Sequence, residues 1–236
     1  RALVRKLGVG EPDNKGFLII GANPVAREIG TALNSADVRT VLCDNLWSNI
    51  SAARMQNLET YYGNPISSHA DVHLDLTRLG GMLGLSRNQA ENTSAAMRFR
   101  EDFGVRKVFV LGTGEPEKQG DKTTASEAYT GRILFAEEYD YWRLHRLIVH
   151  EGAQIKSTQL SENYTFETWQ ADTQDRLALP LFTLDAEKEL AIVSKDTPLK
   201  PKAGWKIYWL TKSEAGEANG NNAKPAPRSL PEADQS

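Results

Sequence analysis

Gly21, Asn23 and Ala26 stand at the three marked positions of a G-x-G-x-x-G turn, and Asp44 follows 23 residues after Gly21 (44 − 21). Residues of these types at this spacing suit a phosphorylated nucleoside. A tight glycine turn lets the backbone approach a phosphate, and the helix after it offers free N–H groups and the positive end of its dipole. A carboxylate about 20 residues further on accepts ribose hydroxyls. Only the first marked position is glycine. Ala26 still permits close helix–strand packing, Asn23 tolerates unusual backbone angles, and Pro24 withdraws one donor from the cradle. Arg27, in the first helical turn, can return positive charge to a phosphate or simply lie on the surface. The same pattern also fits a drifted turn that serves only as scaffold.

The elements that must position these residues are legible on either side. Phe17-Leu18-Ile19-Ile20 reads as a strand buried on both faces. Asn23 suits an N-cap and Pro24 the first helical position, with Val25, Ile29 and Leu33 along one face. Val38 to Cys43 is a second buried run, so a right-handed crossover makes the two strands parallel neighbours. Further on, the pattern predicts a helix over Trp47–Leu58, a short strand at Thr60–Tyr62, a helix over Ser67–Leu76 and a strand at Gly81–Leu85. A helix over Gln89–Phe103, closed by Gly104, and a strand at Val108–Leu111 complete the alternation. That order predicts a parallel sheet with helices on both faces.

Gly112 to Ala125 reads as a polar loop, Arg132–Phe135 as strand-like, and Tyr139–His150 as a helix. From Gly152 the character changes. Ile155–Leu160, a turn of helix at Phe166–Gln170, a hairpin of Leu179–Leu184 with Glu189–Val193, and a half-buried strand at Trp205–Leu210 predict a small β-rich C-terminal subdomain. The division expected is 1–14 as a linker, 15–151 as the α/β domain, 152–212 as the β-rich subdomain and 213–236 as a disordered tail.

Composition narrows the function. Lys+Arg 28 against Asp+Glu 31 argues against a general nucleic-acid binder. The single cysteine, Cys43, rules out an intrachain disulfide, fits a reducing compartment, and reads as a small buried hydrophobe. No apolar run approaches the roughly 18 residues needed to span a bilayer, so the chain is expected to be soluble. Arg1, Arg5 and Lys6 interleaved with Leu3, Val4 and Leu7 suit either a disordered arm or the cytoplasmic end of a membrane-attached protein. His69 and His73, four apart on a helix face, can ligate zinc, but no third ligand lies near; a solvated face is the expectation. Tyr141 and Trp142 suit either core packing or stacking on a ligand, and the core is the expectation, with His145 and His150 on the helix surface.

In order and spacing these segments resemble the cytosolic portion of bacterial sodium/proton antiporters of the NhaP-like group. That portion carries a Rossmann-like TrkA-N fold, the N-terminal part of RCK (regulator of potassium conductance) domains. The resemblance covers roughly residues 1–210. It rests on GFLIIGANPVAREIGTAL with VLCDN, on MLGLSRNQAENTSAAMRFREDFGVRKVFVL, and on LKPKAGWKIYWL, where a Pro-x-x-Gly turn precedes the last strand. It implies phosphate contacts from Gly21, Ala22, Asn23, Pro24 and Val25, and ribose contacts from Asp44 with the adjoining Asn45. Asn64 falls near the adenine, where the family usually has a carboxylate, and Ser86 lies across the strand tips. The implied ligand is NAD(H) or an adenine nucleotide (AMP, ADP or ATP), with no metal and no catalytic residue. The implied partners are a second copy in a homodimer and the membrane transporter portion of the same polypeptide. The implied place is the cytoplasmic face of a bacterial inner membrane.

Three functions follow. A regulatory module would let a ligand shift the domain and the transporter feel it. A soluble NAD-dependent oxidoreductase is disfavoured, since Tyr139 is followed four residues later by Arg143, not by the lysine of a Tyr-x-x-x-Lys pair. A dimerisation scaffold with a vestigial nucleotide site is the third. Asp44 is expected to face solvent, so that its removal costs little stability.

Overall fold

A computed structural model describes residues 15–114, 131–197 and 199–212. The linker 1–14, the tail 213–236 and most of the expected loop at 112–125 lie outside the described residues.

The first half of the chain is a parallel sheet with helices on both faces. Its strands are β1 (Gly16–Ile20), β2 (Thr40–Asp44), β3 (Glu59–Tyr62), β4 (Leu79–Gly84), β5 (Val108–Val110) and β6 (Arg132–Ile133), in spatial order β3-β2-β1-β4-β5-β6. Every neighbouring pair is parallel. β1 is buried throughout because successive side chains serve opposite layers. Phe17 and Ile19 join Val25, Ile29 and Leu33 of α1 (Pro24–Ser35) and Ile50 and Ala53 of α2 (Trp47–Met55). Leu18 and Ile20 join Ala95, Ala96 and Phe99 of α4 (Gln89–Phe103) on the other face.

The helix ends differ from the expectation for local reasons. α2 stops at Met55, not Leu58, because Asn57 takes a left-handed φ of 58° and the Leu58 N–H turns back to the Ala53 carbonyl at 3.1 Å. α3 (Ser68–His73) ends early so that Leu74 and Leu76 can pack under the sheet. The expected helix over 139–150 begins at the Asp140 N-cap as α5 (Tyr141–His145) and continues as a π-helical turn at Arg146–His150. Tyr141 is buried as expected, but Trp142 is 63% exposed, a correction. Neighbouring helical positions differ by about 100° in direction, so both could not face one core.

The second half is an antiparallel sheet of β7 (Ala153–Gln159), β10 (Lys206–Lys212), β8 (Leu179–Leu184) and β9 (Leu190–Ile192), in that spatial order. The strand expected to be half-buried, now β10, is covered on both faces. Tyr208 and Leu210 join the α1-side core, while Ile207 and Trp209 pack with Leu160 and with Trp169 of α6 (Phe166–Thr173). The α1-side core runs unbroken into this second sheet through Tyr141, Leu144 and Leu147. The joint also carries polar links. Phe135 N–H donates to the Val193 carbonyl at 3.0 Å, and Arg132 pairs with Asp196 at 2.8 Å.

Candidate functional site

The loop after β1 is built to turn. Gly21 has φ +100°, which favours glycine, and a Cβ there would lie 3.2 Å from the Ser86 backbone. Its N–H donates to the Cys43 carbonyl at 2.7 Å. Asn23 caps α1: its Oδ1 accepts the Ala26 N–H at 3.1 Å, while its Nδ2 donates to the Leu85 carbonyl at 2.7 Å. One side chain thus caps the helix and staples the β1 loop to the end of β4. Pro24 occupies the first helical position as expected.

Asp44 differs from its expected setting. It is 7% exposed and engaged within the protein. Oδ2 accepts the Ala22 N–H and Asn49 Nδ2, each at 2.8 Å, and Oδ1 accepts the Leu46 N–H at 2.8 Å. A carboxylate offers about four lone-pair sites, so Oδ2 is filled and Oδ1 retains one acceptor position. Two donors near the start of α1 are therefore already spoken for, Ala22 by Asp44 and Ala26 by Asn23.

The opposing wall comes from β4 and α4. Ser86 Oγ donates to Glu91 Oε2 at 2.6 Å and accepts the Asn88 N–H at 3.1 Å. Asn92, fully buried, brackets the Ser86 backbone: its Oδ1 accepts the Ser86 N–H at 3.0 Å and its Nδ2 donates to the Ser86 carbonyl at 2.9 Å. This makes the turn after β4 rigid and aims Arg87 and Asn88 over the strand tips.

Between the walls lies a cavity of about 370 Å³, lined by Asn23, Pro24, Asp44, Asn45, Leu46, Asn49, Ser86, Arg87, Asn88, Glu91 and Tyr141. A cavity of about 300 Å³ adjoins it, sharing Asn45, Asn88 and Glu91 and adding Asn64, Pro65 and Ile66 among others. The structure thus brings Asn23, Pro24, Asp44, Asn45 and Ser86 to one cavity and Asn64 to its extension. Gly21, Ala22 and Val25 are buried behind the wall, with the Val25 side chain in the core. Asn64 uses its Oδ1 locally, accepting the Ile66 N–H at 3.0 Å.

Several residues that line or brace the cavity escape a reading of the sequence. Arg87 and Asn88 were marked only by the polar turn after the fourth strand. Asn92 carried one signal, a polar residue on the apolar face that holds Ala95, Ala96 and Phe99. Tyr141 carried only its aromatic ring, which reads first as core and second as a surface for ligand stacking, because its helix reaches the strand tips only through tertiary packing.

The charges around the cavity are unequally occupied. Arg27 donates from Nη1 to the Ala22 carbonyl at 2.8 Å, its Nε is buried with no hydrogen-bond partner, and burial holds its pKa below the ordinary arginine value. The Tyr141 phenol is pushed up, chiefly by burial, against the pull of the Arg87 and Arg27 guanidiniums. Burial also pushes the Cys43 thiol up, in keeping with an inert core residue. The His69 and His73 rings lie 4.2 Å apart, tilted by 39°, and His69 Nδ1 meets the Tyr61 hydroxyl at 2.8 Å. Among the described residues no group of three or more His, Cys, Asp or Glu is placed to hold a metal.

No family model and no curated protein matches the chain. Among solved structures, the GsuK RCK domain is similar at 15% identity, covering 87% of this chain and 46% of its own, with a TM-score of 0.37. The GsuK channel bound to NAD is similar at 14% identity over 87% of this chain and 38% of its own, with a TM-score of 0.42. A further structure of the GsuK channel is similar at 15% identity over 90% of this chain and 39% of its own, with a TM-score of 0.37. The chain thus spans less than half the length of these solved chains.

Proposed function

We propose that this chain is a regulatory nucleotide-binding domain of the TrkA-N/RCK type, which senses NAD(H) or an adenine nucleotide and passes the signal to the transporter portion of its polypeptide. The observation that carries this reading is the position of the cavity. It opens between the loops after β1 and β4, where the strand order β3-β2-β1-β4-β5-β6 reverses direction, the place where open α/β sheets take ligands. The sequence resemblance set out above favours a sodium/proton antiporter as the transporter. The domain would then act at the cytoplasmic face of a bacterial inner membrane. Its own role is binding, not turnover.

The decisive experiment is thermal-shift screening against NADH, AMP, ADP and ATP. A ligand that binds only the folded state raises stability by about 2.7 kcal/mol at a hundredfold excess over Kd. A flat response to all four would remove the sensing role. A homodimer is part of the reading, formed through Met97 of α4 or through Trp142 of α5 and Val149 of the π-helical turn after it, all exposed. Light scattering giving only a monomer mass at high concentration would count against it.

A second reading has its own support. Asp44 and Asn23 already satisfy the Ala22 and Ala26 N–H groups, and Pro24 has none, which suits a dimerisation scaffold with a vestigial site. Dimers without any nucleotide-induced shift would favour it.

A further inference from the structure

The site departs from a backbone phosphate cradle in a way that points to a different means of holding the anion. Two of the backbone donors there are spoken for by Asp44 and Asn23, and the next residue is a proline. The two carboxylates on the cavity wall are also engaged, Asp44 by three donors and Glu91 by the Ser86 hydroxyl. Arg87, exposed on the β4–α4 turn, is the one cation among the residues that line the cavity, and Tyr141, the first residue of α5, brings a hydroxyl to the same lining, while Asn45, Asn49 and Asn88 add only neutral amide donors. Among the described residues Arg87 makes no ion pair. Both line the same cavity, and the turn that carries Arg87 is braced by Asn92.

Resting on the nucleotide reading above, we propose that Arg87 and Tyr141 form a phosphate clamp across this cavity, replacing the backbone cradle. The ligand class it selects is a nucleotide with a phosphate at the strand tips, in preference to the bare nucleoside. Arg87 supplies charge and a planar fork of donors suited to phosphate oxygens. Tyr141 supplies a hydroxyl donor from a helix that packs on α1 and leads, through the π-helical turn at Arg146–His150, into β7. Tyr141 is therefore the element by which occupancy reaches the second sheet. π-Helical turns are uncommon and sit often at functional sites, and this one lies directly after the clamp helix.

The test is calorimetric titration of AMP and of adenosine into the 236-residue chain. It is paired with hydrogen exchange over residues 141–150, for the parent, Arg87→Gln and Tyr141→Phe. The parent should bind AMP about tenfold or more tighter than adenosine, a charge-assisted contact's worth. Arg87→Gln should erase that preference while leaving adenosine affinity unchanged. Tyr141→Phe should retain most AMP affinity but lose the slowing of exchange that AMP produces over 141–150. Equal affinity of the parent for AMP and adenosine overturns the clamp, as does an Arg87→Gln effect equal on both ligands. Retained AMP-induced protection in Tyr141→Phe overturns the role of that residue. If neither AMP nor adenosine binds, the clamp is overturned, and the NADH thermal shift separately decides whether the nucleotide reading stands.

Discussion

The Asp44 carboxylate accepts the Ala22 N–H at 2.8 Å, joining the end of β2 to the turn that should receive a phosphate. The acid that would read a ribose is thus also a structural member of the loop beside it. The two duties share one side chain, so a change at Asp44 acts on fold and site together.

Asp44→Ala is therefore expected to lower stability, contrary to the expectation from sequence. It strands the buried Ala22 N–H and, in part-buried settings, the Leu46 N–H and the Asn49 amide. Hydrogen bonds to charged groups contribute about 1.5–3 kcal/mol each, and water entering the gap recovers part, so about 3 kcal/mol is expected. At about 2–4 °C per kcal/mol for a chain of this size, the melting temperature should drop by about 6–12 °C. Adenine-nucleotide affinity should fall about tenfold as well. An unchanged melting curve would show that the three bonds are not made in solution.

NAD(H) is expected to bind more tightly than NADP(H). Asp44 keeps one open acceptor position for a ribose hydroxyl, and its charge opposes a 2′-phosphate. Asn45, Leu46, Trp47 and Ser48 bring no cation to that side. Calorimetry with the two cofactors measures the difference directly, and a preference for NADP(H) would contradict the assignment.

Gly21→Ala should be costly at a single methyl group. The backbone there is left-handed, and the new Cβ would lie 2.9 Å from Asn23 Nδ2 and 3.2 Å from the Ser86 backbone. Strain of this kind costs about 1–3 kcal/mol, and displacing Asn23 also loosens the α1 cap. Chemical denaturation should show a lower midpoint with an unchanged slope. Ala22→Gly, at the next residue, should not reproduce it.

The joint between the two sheets should weaken in acid. Arg132 holds the Asp196 carboxyl below the ordinary carboxylate range, so the folded-state pKa lies below the unfolded value of about 3.9. Its contribution is fully present above that unfolded value and is lost as pH falls through the folded pKa. Asp196 is half exposed, so solvent screening keeps the contribution small. Asp196→Asn should make the melting temperature less pH-dependent below about pH 4, and identical pH profiles for parent and variant would refute the link.

What the sequence determined alone was local. The strand of Phe17–Ile20, the Asn23 cap with Pro24 behind it, and the 15-residue helix Gln89–Phe103 all follow from residue type and period. Those rules operate over one or two turns of chain, so no partner need be known. Tertiary structure decided the rest. The Asn23 amide found the Leu85 carbonyl 62 residues away, and Asp44 turned inward because strand register set Ala22 beside it. β10 gained a second buried face only when α6 laid Trp169 across Trp209, ring centroids 5.3 Å apart. Tyr141 reached the cavity because α5 packs on α1, a contact between segments more than a hundred residues apart. A one-dimensional pattern records which face of an element is apolar, but not which other element will cover it. That choice belongs to the order of strands in the sheet.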